Sequence, residues 1–192
     1  MANIDAPFGL RPLKYRSGAP YSGGFNRYAV ASNNVALYIN DPLVLTGEAD
    51  VNGVPIVTRA TAGTGNPIVG TLVGFERNNN NLDKLYLLAN QGGYVHVADD
   101  PGLVFEIQAD GALTSASVGL NAVLIYTNAG SNFTGESGAE LDTGTTTAPA
   151  TTAAFQLKIL RFKQIVDSEV GTNAVLEVLI NNHQLNNGTA GI

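Results

Sequence analysis

Phe155-Gln156-Leu157-Lys158-Ile159 and, shortly after, Ala174-Val175-Leu176-Glu177-Val178-Leu179-Ile180 are the two stretches from which the architecture can be read most directly. In the first, Phe155, Leu157 and Ile159 fall on one side while Gln156 and Lys158 fall on the other. In the second, Ala174, Leu176, Val178 and Ile180 align, with Glu177 opposite. A repeat of two is the mark of a strand with one buried face, because successive side chains of an extended chain point to opposite sides. Joined only through 167–171, the two are expected to lie side by side as antiparallel strands.

Working outward, short apolar runs alternate with turn signals along most of the chain, the pattern of an all-β sandwich or barrel. The expected strands are 25–31, 42–45, 54–59, 68–76, 84–88, 94–98, 104–108, 122–126, 155–162 and 174–180. Asn52-Gly53, Asp99-Asp100-Pro101-Gly102 and Asp110-Gly111 mark corners between them, since glycine accepts positive φ and proline presets a turn. Gly70 and Gly74 share a face with Leu72, which leaves room for a close neighbour there. No stretch keeps a helical period for more than about two turns; a short turn is expected near 117–121. The class expected is therefore an antiparallel β-sandwich or barrel, a jelly roll included.

Two segments break this rhythm. Residues 1–24 carry Pro7, Pro12 and Pro20 with Gly9, Gly18, Gly23 and Gly24, a density that excludes helix and interrupts sheet ladders. Yet Phe8, Leu10, Leu13, Tyr15 and Tyr21 would not sit free in water. The expectation is an extended N-terminal arm, docked on its own domain or on a neighbour, ahead of a single β-rich domain over 25–192. A second segment, about 128–152, is rich in Gly, Thr, Ser and Ala and reads as a long irregular loop. The polar run 78–81 reads as a loop tip.

With 192 residues the chain is long enough for one substantial core, and with no cysteine that core must hold without disulfides or thiolate metal sites. The opening residues lack a signal-peptide pattern and no run approaches a membrane span, so a soluble, unprocessed chain without membrane contact is expected. The net charge of −6 argues against nucleic acid as a partner. Its distribution is uneven: residues 1–27 hold four cations against Asp5 alone, the remainder six cations against fifteen carboxylates. No Lys or Arg occurs from Leu85 to Leu157. A basic arm and an acidic body could meet across a subunit boundary.

Candidates for chemistry are sparse. His96 with Asp99 and Asp100 is the best local metal cluster, but those aspartates already account for a turn. Paired as acid and base, Asp99 and Asp100 would tend to point apart. His183 lies far along the chain from His96. Glu48 to Gly53 has the oxygen rhythm of a calcium loop, yet the twelfth position is Arg59, where a carboxylate is required; a hairpin fits better. Gly63-Thr64-Gly65-Asn66 lacks the Lys-Ser or Lys-Thr of a phosphate loop. Asn132-Phe133-Thr134 matches a glycosylation acceptor, without a secretory signal. Neither a catalytic residue, a metal ligand nor a cofactor site is assigned, and the chain is expected not to be an enzyme.

Three strings carry a resemblance: Ala6-Pro7-Phe8-Gly9-Leu10-Arg11-Pro12 with Gly18-Ala19-Pro20-Tyr21 and Asn26-Arg27-Tyr28; Ala98 through Gln108; and Leu157-Lys158-Ile159-Leu160 with Leu179 through Gln184 and the run to Ile192. The chain resembles head decoration, or cement, proteins of tailed bacteriophages. The resemblance implies a structural β protein on the outer surface of the virion head, made in the host bacterial cytoplasm, that bridges and stabilises major capsid subunits. It also implies self-association, as a homotrimer by preference or a dimer. The anchors expected at the interface are Phe8, Leu10, Arg11, Pro12, Tyr15 and Tyr21, because aromatic and arginine side chains dominate contact energies. An alternative is a carbohydrate- or receptor-binding β module of a phage tail or fibre, although the chain has no tryptophan.

Overall fold

The computed structural model describes residues 3–77, 82–165 and 168–186. Among these, the strands in chain order are β1 (Arg11–Tyr15), β2 (Asn26–Val30), β3 (Pro42–Ala49), β4 (Pro55–Arg59), β5 (Gly70–Phe75), β6 (Gly93–Ala98), β7 (Leu103–Gln108), β8 (Asn121–Ala122), β9 (Leu124–Gly130), β10 (Ser137–Leu141), β11 (Leu157–Phe162) and β12 (Val175–Ile180). A single 3-10 turn, Ser115–Ser117, is the helical element among the described residues. The protein is all-β, as the alternation implied.

Strands β2, β4, β3, β5 and β6 close into a barrel, while β1, β7, β12, β11 and β8 form an antiparallel sheet in that order. The barrel is antiparallel except where β2 meets β4 through Ala29 and Ile56. The two bodies share one device, the repeat of two. Leu43 and Leu72 point into the barrel with Val57, Val95 and Val97, whereas Val44 and Val73, their neighbours in sequence, point out. These outward residues, with Ala60, Ile68 and Ala98 from the barrel wall, pack against Phe105, Ile107, Leu157, Ile159, Leu176 and Val178 on the inner face of the sheet. The result is a sheet laid against a barrel, with one core inside the barrel and a second between the two.

The predicted neighbours β11 and β12 pair in register, Leu157 opposite Ile180 and Ile159 opposite Val178. The small face expected at Gly70 is real: a Cβ there would lie 2.3 Å from the Ala98 carbonyl oxygen. The Glu48–Gly53 stretch closes the β3–β4 hairpin, with Asp50 Oδ1 accepting from the Asn52 and Val54 amides at 2.8 Å. The 78–81 run and part of the expected 167–171 connection lie outside the described residues.

Three expectations need correction. The 84–88 stretch is not a strand; it contributes one bridge, Leu37 to Leu87, because only Leu87 turns inward while Leu85 stays exposed. The 128–152 segment is not irregular throughout, since β9 and β10 form a hairpin there and every residue of β10 is buried. Its small residues are what close approach demands: a Cβ on Gly138 would strike the Asn128 side chain at 2.1 Å. Composition alone cannot separate such buried small residues from a solvated loop. Finally, the leading segment contains a strand. Pro12 is tolerated because β1 is the outer strand of its sheet, where a missing N–H can face away from the ladder.

Candidate docking face

The leading segment is fastened to its own chain along its length. Asn3 donates to the carbonyls of Glu169 (2.8 Å) and Thr172 (2.7 Å) and accepts from the Glu169 amide. Gln108 bridges it, donating to Ile4 O and accepting from Ala6 N. Asn40 donates to Phe8 O at 3.0 Å, and the Leu10 amide donates to Asn40 O at 2.8 Å. Leu10 is fully buried in the core between sheet and barrel, and Phe8 is nearly so. Of the six anchors expected to meet a neighbour, Leu10 therefore has no surface to offer. Arg11 is engaged by Glu106 and lies 4.3 Å above the Phe8 ring. Pro12, Tyr15 and Tyr21 keep partial exposure, the two tyrosines against the core.

What the segment does instead is build one face of the sheet. Register places Arg11 opposite Glu106, Glu106 opposite Glu177, and Glu177 opposite Arg161, a row that crosses β1, β7, β12 and β11. Two carboxylates facing each other across strands repel. Here each is held by two cations: Arg11 and Lys163 on Glu106, and Lys14 (2.7 Å) and Arg161 (3.1 Å) on Glu177. The glutamate side chains are only 5% and 9% exposed, the Arg161 side chain 60%.

Two bulges make this possible. The register shift between Pro12 and Lys14 inserts Leu13, so that Arg11 and Lys14, three apart, both face outward. A matching shift between Ile159 and Arg161 inserts Leu160 and does the same for Lys158 and Arg161. A bulge re-aims side chains that strict alternation would separate. Arg16, just beyond β1, joins them around the floor made by Val104, Leu160 and Leu179. Two adjoining open depressions, of about 420 and 610 Å³, share Lys14, Gly18 and Arg161.

The charge is thereby segregated. Arg11, Lys14, Arg16, Lys158, Arg161 and Lys163 gather on this face with Glu106 and Glu177, a net of +4; the remaining four cations and fourteen carboxylates leave the rest of the chain at −10. Sequence reasoning found the basic arm but not its counterpart on β11. A signal was present, because Lys158, Arg161 and Lys163 are the first cations after the long gap that follows Lys84. The charge complementarity expected between arm and body operates within one chain.

The residues weighed for chemistry are occupied with structure. His96 stacks on Phe25 with ring centroids 4.2 Å apart. Asp99 accepts from Tyr28 Oη at 2.6 Å and from Asn26 Nδ2 at 2.9 Å, and Asp100 Oδ1 accepts from the Gly102 amide at 2.7 Å. These three do not converge, and among the described residues no group of three His, Asp or Glu side chains is placed to hold a metal ion. His183 is buried beside Asp99, whose backbone it hydrogen-bonds, and burial pulls its pKa down against the raising effect of Asp99 and Asp100. Within 63–66, Gly63 donates to Gln156 Oε1 and Gly65 to Ala154 O. Asn132 accepts from Tyr38 Oη at 2.6 Å, and Phe133 beside it is 90% exposed.

One buried carboxyl stands apart. Asp41, with no exposed surface, accepts from Tyr38 N at 2.8 Å and from Ser137 Oγ, where β3 begins and β10 passes. Burial pushes its pKa up to about 7, against the lowering effect of those hydrogen bonds and of Arg59. Comparison with protein-family models, with curated proteins and with solved structures returns no match to this chain.

Proposed function

We propose that this chain is a structural accessory of a phage head: it binds the outer surface of the shell, bridges major capsid subunits and stabilises them, without catalytic turnover. The resemblance of its leading, central and closing strings to decoration proteins supports this reading. The observation that carries it is the segregation of charge, six of ten cations on one sheet face of an otherwise acidic, doubly cored β body. A face that concentrates one sign of charge steers and registers a complementary surface. The body behind it is committed to rigidity. Asp41, Asp99 and Gln156 all spend their polar atoms on partners within the chain.

Binding that favours only the assembled lattice stabilises it by mass action, about 2.7 kcal/mol per site at a hundredfold excess over Kd. A homotrimer spanning several capsid subunits multiplies that effect through avidity. The test is to add the purified protein to undecorated heads. Co-sedimentation with the heads and a raised disruption temperature are expected; heads that neither bind it nor gain stability refute the proposal.

A further inference from the structure

We infer that the groove on the outward face of the sheet seats an extended, acidic segment of the partner protein, its carboxylates meeting Arg16, Lys158 and Arg161 and its apolar side chains lying on Leu160 and Leu179. The inference rests on the shell-binding reading and adds the chemistry of the partner. Glu106 and Glu177 are already matched within the face, each by two cations. Arg16 and Lys158 are surplus. Both are exposed, neither meets a carboxylate among the described residues, and the Lys158 ammonium reaches only the Gly119 carbonyl, at 3.3 Å. Arg161 meets Glu177 through Nε while most of its side chain stays in solvent.

The shape of the site selects the occupant. The adjoining depressions, about 420 and 610 Å³, are open, and Leu160 and Leu179 line the larger one together with Lys14, Arg16, Lys158 and Arg161. A free inorganic anion would use the cations and leave that floor wet. An extended peptide answers both features at once, because alternate side chains point opposite ways along it. Nucleic acid is disfavoured by the field of the rest of the chain, −10, and by two carboxylates in the middle of the face.

The experiment uses the full chain, a ten-residue peptide of alternating Glu and Val, its counterpart with Lys in place of Glu, and undecorated heads. The Glu peptide is expected to bind, with amide shifts centred on Lys158 and Leu160 and affinity falling as salt rises; the Lys peptide is not. In the double variant Arg16→Glu, Lys158→Glu, affinity for both the Glu peptide and the heads should drop about tenfold or more. The urea midpoint should not move, since neither side chain holds a carboxylate; Arg16→Gln, Lys158→Gln serves if the reversal disturbs folding. Heads bound equally well by the variant overturn the groove and leave the shell-binding proposal standing. Heads ignored by the wild type, with the Glu peptide still bound and lost in the variant, overturn the shell proposal and leave the groove. Displacement of the Glu peptide by duplex DNA, or self-association that the variant abolishes, assigns the face to another occupant and overturns the inference.

Discussion

Replacing Asp41 by Asn tests whether a buried carboxyl makes this fold more stable in acid than at neutral pH. The side chain is inaccessible to solvent, and it accepts one backbone and one hydroxyl hydrogen bond, from Tyr38 and Ser137. Its pKa rises from 3.8 to about 7 in the folded protein. Between those values the folded state holds a proton that the unfolded chain has released, so stability falls as pH rises through this window and levels off above it. A difference of about three pKa units corresponds to about 4 kcal/mol, of which roughly 2 to 3 kcal/mol is lost between pH 5 and pH 8. Asparagine is close in shape, can accept from Tyr38 and donate to Ser137, and carries no charge at either pH. The prediction is that the variant gains roughly 2 to 3 kcal/mol relative to wild type on going from pH 5 to pH 8, read from urea unfolding at both. Glu140, whose pKa burial raises, and His183, whose pKa burial lowers, are common to both proteins and cancel in the comparison. A stability difference between the two proteins that does not change with pH would sink the argument.

Leu10→Ala should cost about 3 kcal/mol in urea unfolding, because the residue is a fully buried member of the main core; a cost near zero would mean that the leading segment is a detachable arm. Glu177→Gln should cost only about 1 kcal/mol in thermal unfolding, because Lys14 and Arg161 lose their shared carboxylate but keep access to solvent. Gln156→Leu should cost about 3 kcal/mol or more, since the amide accepts from Gly63 N and Leu124 N and donates to Thr61 O, all of which would lose their partner. An unchanged urea midpoint in that variant would show that water substitutes for the amide.

The strands with clean alternation were legible in the sequence, β11 and β12 above all, because one buried face imposes a repeat of two that survives in the residue pattern. Gln156 shows where that logic runs out. It sits on the polar side of the repeat yet is completely buried, because the start of β9 and the 61–63 segment close over it and use its amide as a hub. Nothing local announces that cover. For β10 the loss of signal has another cause: Gly138 lies against Asn128 and Ser137 against Gly9, and small buried residues look like a linker. For β1, proline and glycine density argued against a strand, and only knowledge that it lies at a sheet edge reverses that argument. The cationic face was half visible. The arm's charges stood out in composition, whereas their alignment with Arg161 and Lys163 depends on two bulges, and a bulge of one residue leaves no mark in the pattern.

These bulges explain why the charge row exists at all. A nearly buried ion pair is weak evidence of added stability, since apolar side chains of similar size would hold as well or better. What apolar side chains would not supply is register. β1 is an edge strand weakened by Pro12 and by its own bulge, and a slip of one residue would turn Leu10 out of the core and Arg11 into it. Arg11 on Glu106 and Lys14 on Glu177 fix that register at both sides of the bulge, and β11 contributes the cations that keep two facing glutamates tolerable. Four cations are consumed in this way. Arg16 and Lys158 add nothing to the register of β1, so the structural argument that accounts for the row stops short of them, and it is their excess charge that an acidic partner would meet.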